Sequence, residues 1–516
     1  MATSVSPLRA VTAERRIAVV DLGSNSFRLV VFRSRPGRSF ALTDEIRESV
    51  RLSAGAEGGV LQTDAISRAA AAAKLYGTFC RTTGVEEVIP VATSAIRDAA
   101  NQAEVLAAIR AGGTGLDARV LSAAEEARYG YLGVVNSTTV EDGLFLDIGG
   151  GSVQVGRITR RTLERSTSRP IGAVRMTEAF LQGVKTTRRQ LKALRRHLAD
   201  ELVSDSWMAG VGGRLVGTGG TVRTLAAMIQ RRIAYPLAEI HGFGITREML
   251  AETIDELIAL PVAKRRTLPG LKSDRADIIL AGAVAIDAVM DRVGVEEIET
   301  CSQGLREGIF YERFLAPAEP PLFPDVRRAS VLNVAENYDF DHPHAEHVAR
   351  LAIEVFDGTA RAGLHLGSPL EREWLWAAAM LHDIGVVVDY HDHHKHGFYL
   401  VLNAGLPGFD HRELAMIALL VRSHRKAPPS YDWLRPVLAP GDDERLARLA
   451  ACLRLGEQLD RGRTGSVRGV EVQGRGATVT LRVAANGDPG VAIWSAEQEA
   501  VSFERGFSRR LRLVAA

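Results

Sequence analysis

The sequence predicts an α/β protein with two similar halves, then a helical region, then a small β-rich C-terminal segment. Three observations carry this: a strand–turn–strand unit occurs twice, a proline-rich stretch divides the chain, and the histidines crowd beyond it. The first copy, "IAVVDLGSNSFRLVVF", spans residues 17–32, and the second, "GLFLDIGGGSVQVGRI", spans residues 143–158. Laying Asp21 on Asp147 pairs Leu22 with Ile148, Gly23 with Gly149, Ser26 with Ser152, Phe27 with Val153 and Leu29 with Val155, an offset of 126 residues. Apolar and β-branched residues flank a tight turn in each copy, the pattern of two joined strands. One unit used twice, about a domain apart, predicts two related α/β halves facing each other.

The length of 516 residues allows three or four domains. An apolar content of 46% and a charged content of 24% suit an ordinary soluble globular protein. Lys+Arg at 64 nearly balances Asp+Glu at 62, which argues against a strongly basic nucleic-acid binder. Cys80, Cys301 and Cys452 are odd in number and scattered, which fits a reducing compartment better than a disulfide framework. The start has no apolar core of the secretory kind. The most apolar helical stretch, "ADIILAGAVAIDAVM", is interrupted by Asp277 and Asp287 and is too short to span a bilayer. A cytoplasmic protein without a membrane partner is expected.

The paired turns suggest a phosphate ligand. Glycine brings backbone close to a ligand, and successive N–H groups in such a turn form an anion-binding nest. Aspartate beside the nest repels phosphate alone but becomes a ligand or water-holder when Mg²⁺ lies between them. A lone Asp-x-Gly turn is commonly just a turn; the second copy is what points to phosphate. A third turn, "LVGTGGTVRTLAAM" (215–228), places Gly217, Gly219 and Gly220 before a helix starting near Thr221. That is a further phosphate or nucleotide cradle, or a site of close helix–strand packing.

The three turns, in this order, resemble the actin, hexokinase and Hsp70 superfamily, with ribonuclease H-like domains facing a cleft. "VATSAIRDAAN" (91–101), "LSAAEEARYGYLGV" (121–134), "PIGAVRMTEAF" (170–180), "HGFGIT" (241–246), "DRADIILAGA" (274–283) and "SQGLREGIFYERF" (302–314) narrow the resemblance to the exopolyphosphatase / guanosine pentaphosphate phosphohydrolase family, over residues 15–315. The remainder resembles the C-terminal region of long bacterial members. The resemblance implies an N-terminal domain over 15–133, a second over 134–315, and a homodimer. It also implies hydrolysis of the terminal phosphate of inorganic polyphosphate, or of the 5′ γ-phosphate of guanosine pentaphosphate.

In that family the general base is the second glutamate of a Glu-Glu-Ala-Arg stretch, here Glu126. A carboxylate within hydrogen-bond reach of water can orient and deprotonate it; without the motif, Glu125 and Glu126 read as solvated helix residues. Phosphoryl transfer needs positioning and charge neutralisation. The N–H groups of Gly149, Gly150, Gly151 and Ser152, with the turn Ser24–Asn25–Ser26, are expected to hold the terminal phosphates, with Gly219 and Gly220 beside them. Arg97 matches a family arginine that points at substrate. Arg28 and Arg275 are candidate phosphate contacts or surface residues, arginine being suited by bidentate pairing. Asp147 is the candidate carboxylate for Mg²⁺ or Mn²⁺. The family usually has Gly-Gly-Gly-Ser-x-Glu here, and this chain has Gln154, a neutral amide oxygen that implies a weaker site.

"LAPAEPPLFPDVRRA" (315–329) holds Pro317, Pro320, Pro321 and Pro324 and reads as a linker. Of 13 histidines, 11 lie between His342 and His424. His382–Asp383 ends an apolar helix, with His344 upstream and His424 downstream, and this resembles an HD-domain phosphohydrolase over residues 325–460. There such residues ring one or two metals, and the last ligand is an aspartate; here "RLGEQLD" puts Glu457 at that place, with Asp460 nearby. Imidazole and carboxylate suit a second divalent metal, and a structural remnant serving as a platform is the alternative. The "HDHHKHG" cluster reads as extra ligands or as a solvated loop. Residues 461–516 alternate in strand fashion, with Asn486-Gly487 and Asp488-Pro489-Gly490 as turns. Their net charge of +4 suits a polyanion. Two other functions compete with the hydrolase: a non-catalytic polyphosphate or alarmone sensor, suggested by Gln154, and a kinase of the same superfamily, disfavoured by a water-activating Glu126.

Overall fold

The computed structural model describes residues 14–56, 58–111, 115–425 and 431–516; the chain start read above lies outside them. The chain forms two compact units, Met1–Ala234 with Phe243–Pro324, and Tyr235–Gly242 with Asp325–Ala516.

The first unit has two lobes. The first comprises β1 (Arg15–Leu22), β2 (Phe27–Arg35), β3 (Ser39–Glu48), α1 (Thr63–Thr82), β4 (Glu87–Ala92), α2 (Ser94–Arg97), α3 (Gln102–Ala111) and β5 (Arg119–Val120). After α4 (Ala123–Val135), the second comprises β6 (Gly143–Ile148), β7 (Val153–Thr159), β8 (Thr162–Arg169), α5 (Ala173–Phe180), α6 (Arg188–Val203), β9 (Leu215–Thr218) and α7 (Gly219–Arg232). It continues with β10 (Gly244–Thr246), α8 (Arg247–Ala259), α9 (Val262–Arg265), α10 (Ile279–Val293), β11 (Glu297–Thr300) and α11 (Leu305–Phe314).

The repeat read in the sequence is a repeat of topology. One sheet runs β3-β2-β1-β4-β5 and the other β10-β11-β9-β6-β7-β8. In each, an antiparallel hairpin leads into strands that pair in parallel with its first strand. The register repeats as well: Asp21 lies opposite Arg28 and Leu22 opposite Phe27, as Asp147 lies opposite Gln154 and Ile148 opposite Val153. The hairpins are apolar on both faces because both faces of each sheet are covered.

Helices α4 and α11 meet through small residues. A Cβ on Gly133 would lie 2.3 Å from the Gly304 carbonyl oxygen, and one on Gly308 would lie 1.9 Å from that of Tyr129, so neither position has room for a side chain. Phe310 of α11 stacks on Phe32 with ring centroids 4.0 Å apart, closing the core beneath the first sheet.

The second unit opens with α12 (Val326–Asn337), α13 (His342–Arg361), α14 (Pro369–Leu381), α15 (His393–Ala404), α16 (His411–Ser423) and α17 (Asp442–Leu459), packed on one apolar core. Residues 235–242, which nothing in the sequence sets apart, belong to this unit. Tyr235 donates its hydroxyl to His411 Nδ1 (2.9 Å), and His411 Nε2 donates to the His241 carbonyl (3.0 Å). The C-terminal stretch is not strand throughout. β12 (Val467–Arg475) and β13 (Thr478–Ala485) form the expected hairpin, but α18 (Gly490–Glu497) and α19 (Ala500–Phe507) follow before β14 (Arg510–Ala515) closes the sheet. The reason is packing: Phe503 and Phe507 sit four apart on one helical face and stack with centroids 4.5 Å apart in the core. Among the described residues, no helix is long and apolar enough to cross a membrane.

Candidate active site

The ends of β1 and β6 converge on one cleft. Its lining includes Asp21, Ser24, Asn25, Ser26 and Arg28 from the first lobe, and Asp147, Gly149, Gly150, Gln154, Gly219, Gly220 and Arg275 from the second. The expected set of phosphate-holding amides is corrected at Gly149, whose N–H is spent inside the turn, while Gly151 and Ser152 lie behind the lining residues. The Gly149 N–H closes the turn on the Ser152 carbonyl (3.0 Å), which turns Gly151 under the first loop. A Cβ on Gly151 would lie 2.6 Å from Ser94 Oγ and 2.9 Å from Ser24 Oγ. Ser152 Oγ instead accepts from Gln154 Nε2 (2.8 Å).

Glu125 and Glu126 have different fates although they are neighbours. Ser122 caps α4, and Glu125 closes the capping box by accepting the Ser122 N–H at 2.9 Å. One position on, Glu126 turns inward and lines the cleft. Burial pushes its carboxyl up to about 7, against the downward pull of Arg97, with Asp147 and Asp21 adding to the rise. Arg97 stands behind Glu126 rather than among the cleft arginines: its Nη1 donates to Glu126 Oε2 at 2.7 Å and to the Leu121 carbonyl at 3.2 Å.

The two aspartates are buried. Burial pushes Asp147 up to about 6, opposed by Arg223, and raises Asp21, opposed by Arg306 and Arg28. Gln154 is fully buried opposite Asp147, with its amide N–H groups on Ser152 Oγ and Ser168 Oγ (3.2 Å).

Arg223 and Arg306 also line the cleft, and sequence reasoning missed both. Each sits in the first turns of a helix that follows a glycine turn, the signal that was available for finding them. With Arg28 and Arg275 they make four cations in one cleft. Burial, together with Arg306, Arg223 and Arg275, lowers Arg28 to about 8; burial, Arg47 and Arg223 bring Arg275 to about 10. Burial works against the Arg306 charge, but Glu307 and Asp21 hold it up. Asn25 Nδ2 and Arg306 Nε are buried without a hydrogen-bond partner. Crowded cations and unused donors suit a polyanion carrying many acceptor oxygens.

In the second unit the structure brings together His344, His382, Asp383, His424 and Glu457, all named from the sequence, with His393 of the "HDHHKHG" cluster beside them. That cluster is not uniformly solvated: His393 and His394 are buried and His391 is exposed.

A two-lobed α/β protein with a phosphate-suited cleft is the class that fold and site describe. The chain belongs to the Ppx/GppA phosphatase family, a family of hydrolases: the family model matches residues 30–316, and the model of the family's domain III matches residues 326–486. It is similar to a guanosine-5′-triphosphate,3′-diphosphate pyrophosphatase from Pseudoalteromonas translucida, at 30% identity over 421 residues, 79% of this chain and 80% of that protein. Among solved structures it is similar to the Aquifex aeolicus Ppx/GppA family member (30% identity, TM-score 0.50, 58% of this chain and 97% of that one). It also shares its fold with an exopolyphosphatase from Cytophaga hutchinsonii (24% identity, TM-score 0.54, 58% of this chain and 98% of that one).

Proposed function

We propose that the cleft hydrolyses the terminal phosphate of inorganic polyphosphate, releasing orthophosphate, and that guanosine pentaphosphate is a second substrate of the same site. The observation that carries this is the meeting in one cleft of a buried, high-pKa Glu126 and four arginines. In this reading Asn25, Gly150 and the arginines hold the terminal phosphates, the Gly149 N–H being spent inside the turn. Glu126 takes a proton from the attacking water, the water oxygen bonds to the terminal phosphorus, and the bridging P–O bond breaks. The leaving chain carries its charge among Arg28, Arg223, Arg275 and Arg306. Arg97 is a positioning residue, acting through Glu126. Glu126 also disfavours a kinase, which has no use for a base on water.

The donor set fits a divalent cation. Asp21 and Asp147 are carboxylates whose burial opposes their charge, and Gln154 adds a neutral oxygen. These oxygens suit Mg²⁺ or Mn²⁺, which would neutralise phosphate charge when bound.

Phosphate release from long-chain polyphosphate and from guanosine pentaphosphate, with and without Mg²⁺, tests the reading. Glu126→Gln is expected to lower release by about 10²- to 10⁴-fold with binding retained. Release within threefold of wild type removes Glu126 from the mechanism. Tight binding without release by wild type would make the chain a sensor, the reading that Gln154 favours.

A further inference from the structure

The first lobe sets two arginines against each other. Arg47 on β3 lies directly opposite Arg28 on β2, so both project from one face of the sheet, and like charges so placed repel. On the second lobe, Lys272 and Arg275 flank Asp274. Arg28 and Arg275 line the cleft, while Arg47 and Lys272 stand outside its lining, at the mouth. Burial disfavours the Lys272 charge, and Arg28, Arg47 and Arg275 disfavour it further, so the four cations form one cluster across the two lobes.

Two carboxylates are interleaved with these cations. Glu45, two residues from Arg47 and on the same face of β3, accepts from Arg28 Nη1 at 3.3 Å. Asp274 accepts from Arg47 across the lobes, and from Ser49 Oγ at 3.2 Å. The Glu45 and Asp274 side chains are 45% and 28% exposed, and ion pairs open to water cost little to break. A phosphate can therefore take either arginine from its carboxylate, bringing more charge and more acceptor oxygens than the group it replaces. The cluster suits a repeating anion, whose successive phosphates meet Arg28 and Arg275 first and then Arg47 and Lys272. Among the described residues no aromatic ring lines the cleft, so this route offers charge and gives a nucleobase no ring to stack on.

We propose that Arg47 and Lys272 form a second phosphate subsite, which takes the phosphates of an inorganic polyphosphate chain beyond the terminal ones, and that Glu45 and Asp274 hold Arg28 and Arg47 until the chain displaces them. This rests on the reading that the cleft holds the terminal phosphates. The subsite makes the protein favour long chains over tripolyphosphate, and over guanosine pentaphosphate, whose phosphate run ends in a nucleoside.

Initial rates of phosphate release by the full chain, from long-chain polyphosphate and from tripolyphosphate at fixed Mg²⁺, test this. Lys272→Gln is the cleaner variant, since Lys272 is exposed and lies outside these ion pairs. It is expected to raise KM for long chains about tenfold more than KM for tripolyphosphate, the scale of one lost contact between a cation and phosphate. Asp274→Asn releases Arg47 and is expected to lower KM for long chains, which loss of a purely structural contact would not do. Equal changes for the two substrates in Lys272→Gln, or a raised KM for long chains in Asp274→Asn, overturn the subsite. Melting curves show whether each variant folds, and should one fail, the other decides. Absence of release by the wild type counts against the hydrolase reading alone. Equilibrium binding of long-chain polyphosphate then decides the subsite: about tenfold weaker binding by Lys272→Gln supports it, and equal binding overturns it.

Discussion

Arg97 holds Glu126 at 2.7 Å while burial pushes that carboxyl up to about 7. Glu126, the base of the proposed reaction, therefore sits between two opposed effects, and the guanidinium holds its pKa down to about 7. Arg97→Ala removes the lowering influence, so the Glu126 pKa rises further. A base must be deprotonated to act, so the acid limb of kcat/KM moves to higher pH, by about one to three units. Activity lost at pH 7 should return at higher pH, and Arg97→Lys should fall between. A uniform loss at every pH would give Arg97 a purely structural role.

Arg275 presses on the Gly220 backbone, and its neighbours Arg47 and Arg223 disfavour its charge. The charge is costly until an anion arrives. Arg275→Met is therefore expected to raise the melting temperature of the ligand-free protein. It should also raise KM for polyphosphate by about 10- to 100-fold, the scale of a lost hydrogen bond to a charged group. Calorimetry and initial rates check the two halves, and a lower melting temperature with unchanged KM would contradict both.

Gly151, like Gly150, packs where the two glycine turns meet. Gly151→Ala drives a methyl group into Ser94 Oγ and Ser24 Oγ, which spreads the turns and should lower kcat with little change in fold. Removing one oxygen gives relief: Gly151→Ala combined with Ser94→Ala should recover part of the lost rate. Equal rates for the single and double variants would show that the contact does not control the cleft.

The turns and the two-lobed frame were legible because a repeated Asp-x-Gly between apolar strands is a local pattern, whereas Glu126 was picked out only by the family's Glu-Glu-Ala-Arg stretch, since by itself it reads as a solvated helix residue. Arg223 and Arg306 were not, since their importance lies in distant chain segments meeting across a cleft. The fate of Gly151 was hidden for the same reason, a turn's hydrogen bond deciding which amides face in. His393 was hidden among solvated neighbours, because only the start of α15 buries it. Residues 490–507 alternate like a strand, yet Phe503 and Phe507 find the core at helical spacing.

Gln154 lies directly opposite Asp147, both buried, where the family's usual residue is glutamate. Gln154→Glu keeps the shape, and the hydroxyls of Ser152 and Ser168, which now accept from the amide, can rotate to donate to a carboxylate. Charge is what changes. Asp147 is already raised to about 6, and a second carboxylate beside it raises both while no metal is bound. A group with a raised folded pKa contributes stability at low pH that is lost as pH climbs through that pKa. The metal-free variant should therefore melt lower than wild type at pH 8 and close to it at pH 5. A divalent cation reverses the balance, because anionic oxygen attracts it more strongly than an amide does. The Mg²⁺ concentration for half-maximal phosphate release should fall roughly tenfold, equivalent to about 1.4 kcal/mol, with little change at saturation. Melting curves at the two pH values and a Mg²⁺ titration of phosphate release check the two signs separately. An unchanged half-saturation point together with the pH-dependent loss of stability would place residue 154 beside Asp147 but away from the metal.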